Sequence, residues 1–582
     1  MTRIVLILLL ALLSTTLYAV QPVSQLLDFT QADGSTLTLQ LSGDDFRGHS
    51  LTTNDGFLIV KEEAKGQYYY AFTDETGRLK STGVVAHNPE NRSISEMDYL
   101  KRVTYKKVNK SASGIINPNS VINKTFPSSG NAKLLMVLVN FSDTQIIHSQ
   151  QAFFNVMNQS KYSGIGSFKD YYTEVSGGKL NVTTDVINWV TVSNTHKYYG
   201  ENVFGSDAAR TELILEVIQL IDPVVNFADY DNDKDGVMDG LCIVHQGQGE
   251  EYTGSDPNNI WSSIGDLRKG YNPPYRELKY DGITLGPFSV EPELENFTGR
   301  TGISTVGVFC HEFGHWLGLP DFYDADYVNG GQYYGTGDWD IMASGTWNLT
   351  VRAGDTPAHH NPYSKNKLGW NTTTILNSPA TITGMKDVTE SNLNYRIDTN
   401  TKGEYFLLEN RQKKSFDAGV YQNGLVIYHV DSAQIEGNTV LNQVNVSSNQ
   451  GMVYERFSTK LSFPSIGTEF SDTSIPNALS KSGLSTGKPI SNIALLNSQL
   501  SFDFMGGAPS EVSKISTSHA IYSNNKIIVI KNHVDENYYI YNTTGVLLHQ
   551  GKINASEIAI NVSQSGIYLV FVNNECHKLF VK

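Results

Sequence analysis

The sequence predicts a multidomain α+β protein with β-rich parts at both ends. The chain has 582 residues, too many for one hydrophobic core, which indicates three or four folding units. Short strands and turns dominate before about residue 125 and after about residue 386, whereas helical and strand patterns alternate between them. Together these observations favour a mixed central domain flanked by β-rich modules.

The composition excludes several classes of protein. Hydrophobic residues make up 40% and charged residues 18% of the chain, as in ordinary globular proteins. The 44 basic and 59 acidic side chains give a formal net charge of −15. This charge argues against nucleic acid as a partner and against a polybasic membrane anchor.

The N-terminus is typical of an export signal. Arg3 precedes an apolar run over residues 4–13, and Ala19 offers a small side chain for cleavage. We therefore expect residues 1–19 to be a signal peptide, with a buried N-terminal helix as the alternative. No later run has the ~18 apolar residues that a spanning helix needs, so the sequence predicts an exported protein without a permanent membrane span.

Four domains are expected after the signal peptide. Residues 20–125 contain short strands, a turn signal at 54–56 and, at their end, a polar stretch around 106–129 that reads as an exposed linker. This order suggests a β-rich propeptide, with an accessory β-domain as the alternative. Beyond it we expect a catalytic domain at 126–385, an associated β-rich domain at 386–505 and a C-terminal β-sandwich at 514–582.

A histidine pair predicts a metal site in the central domain. His311 and His315 are four residues apart in a helical pattern, which would place both imidazoles on one helix face, about 6 Å apart along the axis. Two such nitrogens can each lie ~2.1 Å from one zinc ion. Glu312 could then take a proton from a metal-activated water that attacks a peptide carbonyl.

The residues that follow make this motif more specific than a histidine pair alone. Gly318 would let the chain turn with positive φ, and Asp321 would then supply the third zinc ligand. Met342 lies in a segment, 338–345, typical of the methionine-turn beneath the zinc site of metzincins. Asp324 is a rival third ligand with a less suitable spacing. The alternative is that the histidines and Met342 only pack in the core.

A second cation site is predicted in residues 229–239, which contain five aspartates. Counted from residue 231, the pattern follows an EF-hand-like calcium loop, with carboxylates at positions 1, 3, 5 and 9, glycine at 6 and a main-chain carbonyl at 7. The expected ligands are Asp231, Asp233, Asp235, Asp239 and the carbonyl of Val237. Cys242 replaces the usual glutamate at position 12, so another ligand would be needed. A solvated acidic loop is the alternative.

The cysteines exclude a disulfide-stapled scaffold, because the chain has only three. Cys242 and Cys310 could pair after export or could both be buried free thiols, and the sequence does not decide between these states. His245, on the strand after the acidic loop, could lie near substrate or simply be packed.

Four segments and one turn share a pattern with a known protein family. They are residues 167–172, 311–324, 361–370 and 424–431 and the turn at Met342. They resemble the immune inhibitor A family of secreted bacterial zinc metallopeptidases, over roughly residues 30–505. The resemblance implies a zymogen, a metzincin-like catalytic domain and protein or peptide substrates. It implies zinc ligands at His311, His315 and Asp321, with Glu312 as the base.

The end of the chain carries a second, looser resemblance. Its features are residues 541–546, a strand at 566–570 and the basic end at 578–582. They are similar to the type IX secretion sorting domain of Bacteroidetes exoproteins. This implies that the C-terminal module engages secretion machinery and that the chain is secreted or displayed at the cell surface.

These observations predict a secreted zinc endopeptidase, made as a zymogen and holding a structural calcium ion. The alternative from another class is a non-catalytic surface adhesin that keeps zinc for stability. Glu312 argues against the adhesin, because a purely structural zinc site needs no general base.

Overall fold

The structure is a computed structural model that describes residues 27–44, 48–62, 65–73, 79–102, 124–200, 202–203, 206–207, 209–250, 259–269, 277–295, 301–325, 333–455, 461–507, 520–573 and 575–582. The predicted signal peptide and most of the predicted linker lie outside the described residues. The chain divides into two compact units, Met1–Gly507 and Ala508–Lys582. In the described ranges, no helix has the length and apolar character needed to cross a membrane.

The first described region is β-rich, as the sequence predicts. Its elements are β1 (Leu27–Thr30), β2 (Thr36–Asp44), β3 (Gly48–Thr53), β4 (Ile59–Glu62), β5 (Gln67–Thr73), β6 (Leu79–Val85) and α1 (Ile94–Arg102). The strands form two antiparallel sheets, β1-β2-β3 and β4-β5-β6. Leu37 and Leu39 of β2 share a core with Tyr68 and Tyr70 of β5, because alternate residues of a strand face the same side.

The central region mixes helices and strands. Its elements are β7 (Gly130–Asn140), α2 (Gln150–Asn158), α3 (Phe168–Val175), β8 (Leu180–Thr191), α4 (His196–Gly200), β9 (Asn202–Val203), β10 (Ser206–Asp207), α5 (Arg210–Ile221), β11 (Leu241–Gln248), β12 (Ser263–Asp266), β13 (Lys279–Tyr280), β14 (Ile283–Thr284), β15 (Pro287–Glu295), β16 (Gly302–Ile303), α6 (Val306–Trp316) and α7 (Pro362–Lys367).

The main sheet of this region has the strand order β12-β15-β11-β7-β8, with β16 also pairing to β15. Strands β15, β11, β7 and β8 are parallel, whereas β12 lies antiparallel at one edge. Helices cover both faces, which explains the continuous apolar run of β7. Leu134 and Met136 pack on the side of α2, α3 and α6. Leu135 and Val137 pack on the side of α5.

A second β-rich region follows in the same compact unit. Its elements are β17 (Thr372–Ile375), β18 (Ala380–Met385), β19 (Leu393–Asp398), β20 (Glu404–Arg411), β21 (Gly424–Asp431), α8 (Ser432–Asn438), β22 (Met452–Tyr454), β23 (Ile490–Leu496) and β24 (Gln499–Phe504). The sheets are β17-β19-β20-β21-β22 and β18-β24-β23. Strands β17 and β18 precede residue 386, so the strand pairing of this region begins earlier than the predicted domain start.

The second compact unit is built from two antiparallel sheets. Its strands are β25 (Ala520–Asn524), β26 (Ile527–Lys531), β27 (Asn537–Asn542), β28 (Leu547–Lys552), β29 (Glu557–Asn561), β30 (Gly566–Val572) and β31 (Glu575–Val581). The sheets, β25-β26-β29 and β28-β27-β30-β31, share one buried core. Ile528 and Ile530 enter this core from the first sheet, and Ile540 and Val570 enter it from the second.

Candidate metal centre

Helix α6 carries the histidine pair, and all of its residues are buried. Thr305 occupies the N-cap position, but its hydroxyl donates to the Ala353 carbonyl at 2.7 Å and does not cap the helix. After Trp316 the chain turns at Gly318, whose φ of +85° favours glycine. The helix that carries the histidine pair and the turn at Gly318 therefore agree with the sequence prediction.

The structure brings three predicted ligands together. One donor atom each of His311, His315 and Asp321 lies within 4.8 Å of the others, and the three side chains are buried. Asp321 Oδ1 is 3.2 Å from His311 Nε2 and 3.6 Å from His315 Nε2. Two atoms bound to one tetrahedral zinc at ~2.1 Å are about 3.4 Å apart, so the spacing suits a shared zinc ion.

The protonation of both rings also suits a metal ion. His311 Nδ1 is 2.8 Å from the Ile341 carbonyl, and His315 Nδ1 is 2.9 Å from the Leu319 carbonyl. A carbonyl only accepts, so Nδ1 of each neutral ring carries the hydrogen, and Nε2 presents a lone pair toward Asp321. Burial lowers the pKa of His315 to about 4, which keeps this ring neutral near neutral pH. Lone pairs and a carboxylate that converge in a buried space fit a cation.

The orientation of Asp321 is set by a residue far along the chain. The side chain of Asn442, 121 residues away, donates from Nδ2 to Asp321 Oδ2 at 2.5 Å. The backbone N–H of Asp321 donates back to Asn442 Oδ1 at 2.7 Å. Burial alone would raise the pKa of Asp321, but His315, His311 and this amide lower it. The carboxylate is therefore held as an anion with Oδ1 facing the histidines.

Met342 packs against α6 at Gly314, which lies between the two histidines in the sequence. It is fully buried, and its carbonyl accepts from the Phe322 N–H at 2.7 Å, which joins the turn to the segment just after Asp321. A Cβ added at Gly314 of α6 would lie 2.4 Å from Met342 Sδ. Gly314 thus permits the close approach of helix and turn. In a sequence, a glycine inside a helical pattern indicates that another segment approaches the helix closely, but it does not identify that segment.

The carboxylate of Asp340 stabilises the turn that contains Met342. Its carboxylate accepts from Thr336 Oγ1 at 2.8 Å, from Asn361 Nδ2 at 2.6 Å and from the Met342 N–H at 3.3 Å. Asn361 also caps α7 by accepting from the Ser364 N–H at 2.8 Å. Hydrogen bonds of Asp340 and Asn361 therefore connect the turn at Met342 to the start of α7.

Helix α3 is hydrogen-bonded to α6. A capping box between Ser167 and Asp170 starts this helix. Tyr172 then donates its hydroxyl to the Cys310 carbonyl at 2.6 Å, and Tyr171 donates to the Ala358 carbonyl at 2.7 Å. The segment 167–172 thus fixes the part of α6 next to His311.

Glu312, the predicted base, is fully buried on α6. Cys242 of β11 lies behind it and donates its thiol toward Glu291 Oε2 at 3.4 Å. Burial first, then Glu291 and more weakly Glu312, raise the pKa of this thiol well above its ordinary value. Cys242 is therefore an uncharged packing residue beside the site.

Other candidates from the sequence lie apart from this cluster. Asp324 is buried, but its Oδ2 accepts from the Tyr333 N–H at 3.4 Å, and it is not among the three clustered donors. His245 is buried beside Phe141 and His196, and burial lowers its pKa to about 3, as expected of a packed histidine. Cys242 and Cys310 are both free thiols, so they form no disulfide with each other.

The acidic loop gathers part of its predicted ligand set. One oxygen each of Asp231, Asp233 and Asp239 lies within 4.8 Å of the others. Asp235 is outside this cluster, because its Oδ1 accepts from the Val237 N–H at 2.8 Å. Burial, together with the charges of Asp233 and Asp231, raises the pKa of Asp239 to about 7 even though Asn232 opposes the shift. A bound cation would relieve this repulsion.

Comparisons with known proteins agree with the predicted family. Residues 127–372 match the immune inhibitor A peptidase M6 catalytic domain. The chain is 31% identical over 227 residues to immune inhibitor A of Bacillus thuringiensis subsp. alesti, covering 35% of this chain and 32% of that protein. It is 33% identical over 205 residues to the pre-pro-metalloprotease PrtV of Vibrio cholerae serotype O1 (strain M66-2), covering 31% of this chain and 21% of the relative. The chain thus spans about a third or less of these relatives.

The matched range holds the histidine pair, Asp321 and Met342. It confirms the resemblance to immune inhibitor A for this range, which is narrower than the expected residues 30–505. The matched family model is described as a peptidase catalytic domain, and the Vibrio relative is named a metalloprotease. Residues 127–372 of this chain therefore match a peptidase M6 catalytic domain of the immune inhibitor A type.

Proposed function

We propose that the chain is a secreted, zinc-dependent endopeptidase that hydrolyses peptide bonds in proteins. The main support is the meeting of His311 Nε2, His315 Nε2 and Asp321 Oδ1 at distances that suit one tetrahedral zinc ion. The range matched by the peptidase M6 model encloses all three residues. The order of the main sheet, with one antiparallel edge strand before α6, and the methionine-turn favour a metzincin-like domain.

The side chains divide the work of the reaction. The carbonyls of Ile341 and Leu319 fix the two imidazoles, and Asn442 fixes Asp321. Zinc, when bound, supplies Lewis acidity that activates water and polarises the peptide carbonyl. Glu312 is the general base: it takes a proton from the attacking water and returns it to the leaving amine.

We also propose that the protein is made as a zymogen. Residues 1–19 would be the signal peptide and residues 20–125 the propeptide. Cysteine-based latency is not available, since residues 20–125 contain no cysteine. A propeptide carboxylate or steric blocking of the cleft would keep the enzyme inactive. The Vibrio relative is named a pre-pro-metalloprotease, a name that describes that protein as having segments ahead of the protease, in the same order as proposed here.

The remaining proposals concern the C-terminal module and the acidic loop. Residues 514–582 would engage type IX secretion machinery, which the two-sheet fold of this unit permits. The acidic loop would hold a structural calcium ion through Asp231, Asp233 and Asp239. Asp235 and the Val237 carbonyl, expected from the loop pattern, would join them after a local rearrangement.

A protease assay tests the proposed reaction. The processed protein is incubated with casein, with and without a zinc chelator, beside Glu312→Ala. We expect casein cleavage by the wild type, its loss in the chelator, and its recovery when zinc is restored. Glu312→Ala should still bind zinc, because Glu312 is not a ligand, but should lose cleavage by several orders of magnitude. Equal cleavage by wild type and variant would contradict the mechanism, and zinc binding without any cleavage would favour the adhesin.

A further inference from the structure

We propose that Asn442 is a positioning residue of the zinc site: its side-chain amide holds Asp321 in the one-oxygen orientation that retains the metal. The inference rests on the proposed zinc site. It extends that site to the turn after α8, about seventy residues beyond the matched range 127–372. Asn442 is fully buried, so its amide has no exchange with bulk water to compensate for a lost partner.

The direction of each hydrogen bond between the two residues is determined by chemistry. The backbone N–H of Asp321 only donates, so the amide oxygen of Asn442 must face it, at 2.7 Å. The amide nitrogen then necessarily faces the carboxylate, and it donates to Oδ2 at 2.5 Å. The pair is reciprocal, and an exchanged amide would place two donors and two acceptors against each other.

This pairing determines which carboxylate oxygen is available to zinc. Oδ2 is engaged by Asn442, whereas Oδ1 is the atom 3.2 Å from His311 Nε2. Rotation of the carboxylate would break this hydrogen bond and leave a buried amide donor without its charged acceptor, which is unfavourable. Asp321 is therefore presented as a one-oxygen ligand before the metal arrives.

The local backbone allows only a few residues at this position. Asn442 has φ +52°, and its N–H donates to the Thr439 carbonyl at 3.0 Å, which closes a short turn after α8. Asparagine and glycine tolerate this left-handed conformation best. Glycine at 442 would thus keep the turn while removing the amide, which makes Asn442→Gly a cleaner test than Asn442→Ala.

A neighbouring asparagine provides the matched control. Asn445 is also fully buried; it donates to the Phe322 carbonyl at 2.8 Å and accepts from the Met452 N–H at 3.0 Å. It holds the same two segments together without touching a proposed zinc ligand. Asn445→Ala should therefore lower the melting temperature and leave the zinc affinity within about twofold of wild type.

The experiment uses the full chain stripped of metal and measures zinc binding by competition with a colorimetric chelator. Asn442→Gly and the isosteric Asn442→Asp should each raise the zinc Kd by about 10- to 100-fold, the usual effect of removing a hydrogen bond to a metal ligand. Both should also shift the visible absorption bands of bound cobalt(II), while Asn445→Ala leaves these bands unchanged. Thermal melting of the metal-free proteins identifies any variant that fails to fold.

The outcomes separate this inference from the proposed function. If folded Asn442→Gly and Asn442→Asp keep the zinc affinity and cobalt bands of the wild type, the proposed role of Asn442 is overturned. If His311→Ala loses zinc in the same experiment, the proposal of a zinc site still stands. Equal weakening by Asn445→Ala would also overturn the proposed role of Asn442, because the effect would then come from the segment and not from the amide. Failure of the wild type to bind zinc would overturn both proposals.

Discussion

The behaviour of each residue in the metal centre depends on which of its atoms is already engaged. His311 and His315 use Nδ1 on backbone carbonyls, and Asp321 uses Oδ2 on Asn442. The other donor atoms, Nε2 of both histidines and Oδ1 of Asp321, lie within 4.8 Å of one another. Ligands with only one atom available bind a metal in a defined geometry. The same reasoning distinguishes Asp321 from Asp324, which are three residues apart and both buried.

The two aspartates should differ sharply when each is changed to asparagine. We expect Asp321→Asn to lose most zinc binding, because a neutral amide is a weak zinc ligand. Asp324→Asn should retain zinc, since its carboxylate accepts from the Tyr333 N–H and lies outside the clustered donors. Zinc content after dialysis, measured by atomic absorption, checks both. Zinc loss in Asp324→Asn alone would assign the third ligand to Asp324.

Gly314→Ala should destabilise the catalytic domain. The added Cβ would lie 2.4 Å from Met342 Sδ, so the fully buried Met342 side chain must repack, at a cost of about 1–3 kcal/mol. Gly437, near the end of α8, has open space at the same point and serves as the control. Gly437→Ala should be neutral or stabilising by up to about 1 kcal/mol, because alanine favours helix more than glycine does. Calorimetry of both variants checks the difference, and similar melting temperatures would contradict the packing argument.

At the scale of elements, a buried ionic cluster joins β20 to the methionine-turn. Arg411 is fully buried and binds Asp417 through two hydrogen bonds of 2.6 Å. It also donates to Glu409 at 2.8 Å and to the Trp339 carbonyl at 2.6 Å, three residues before Met342. Arg411 of the second β-rich region thus stabilises the segment that leads into the turn at Met342.

This cluster predicts an acid-sensitive stability. Burial would raise the pKa of Asp417, but Arg411 and His359 overcome it and hold the value at about 2, below the ordinary 3.8. A depressed carboxyl pKa stabilises the fold fully above the unfolded value and loses that contribution as the pH falls from about 4 through 2. Asp417→Asn removes the contribution and leaves a buried guanidinium less compensated, which should cost about 3–5 kcal/mol near neutral pH.

Melting temperatures of both proteins between pH 7 and pH 2 test this expectation. The wild type should lose more stability than Asp417→Asn below pH 4, so that the two curves converge. Curves that stay parallel over this range would show that Asp417 is not the titrating group.

The acidic loop makes a separate element-scale prediction. If the loop binds calcium as proposed, added calcium should stabilise the wild type, and Asp233→Ala should abolish this effect because it removes one of three clustered carboxylates. Asp222→Ala removes an exposed carboxylate outside the loop and should respond to calcium as the wild type does. Thermal melting with and without calcium gives the comparison. An unchanged response in Asp233→Ala would favour a solvated acidic loop.

The elements predicted from sequence are those that local geometry determines. The spacing of His311 and His315 predicts a shared helix face, and Gly318 predicts where the helix ends. Asn442 could not be found this way, because its contact with Asp321 joins residues 121 positions apart. The state of Cys242 and Cys310 also needed three dimensions, since two cysteines in a sequence do not reveal the distance between their sulfurs.

At the scale of the whole molecule, the metal centre draws on more of the chain than the range matched by the family. Residues 127–372 supply the donor atoms, whereas Asn442 and Arg411 come from the region after it. The first compact unit keeps both regions together. The backbone N–H groups of Thr125 and Phe126 also donate to the Trp316 carbonyl at the end of α6, so the chain entering the central region is hydrogen-bonded to the helix that carries the histidine pair.

The reciprocal pair of Asp321 and Asn442 has an evolutionary consequence. The amide of Asn442 pairs with one carboxylate oxygen and with the backbone N–H of residue 321. A histidine at position 321 would offer the amide an imidazole ring in place of the carboxylate oxygen. The two positions should therefore covary among related chains. Those with aspartate as the third ligand should keep asparagine on the later turn, and those with histidine should be free to lose it. If the two positions change independently in an alignment, asparagine at position 442 is not selected for its pairing with aspartate at position 321.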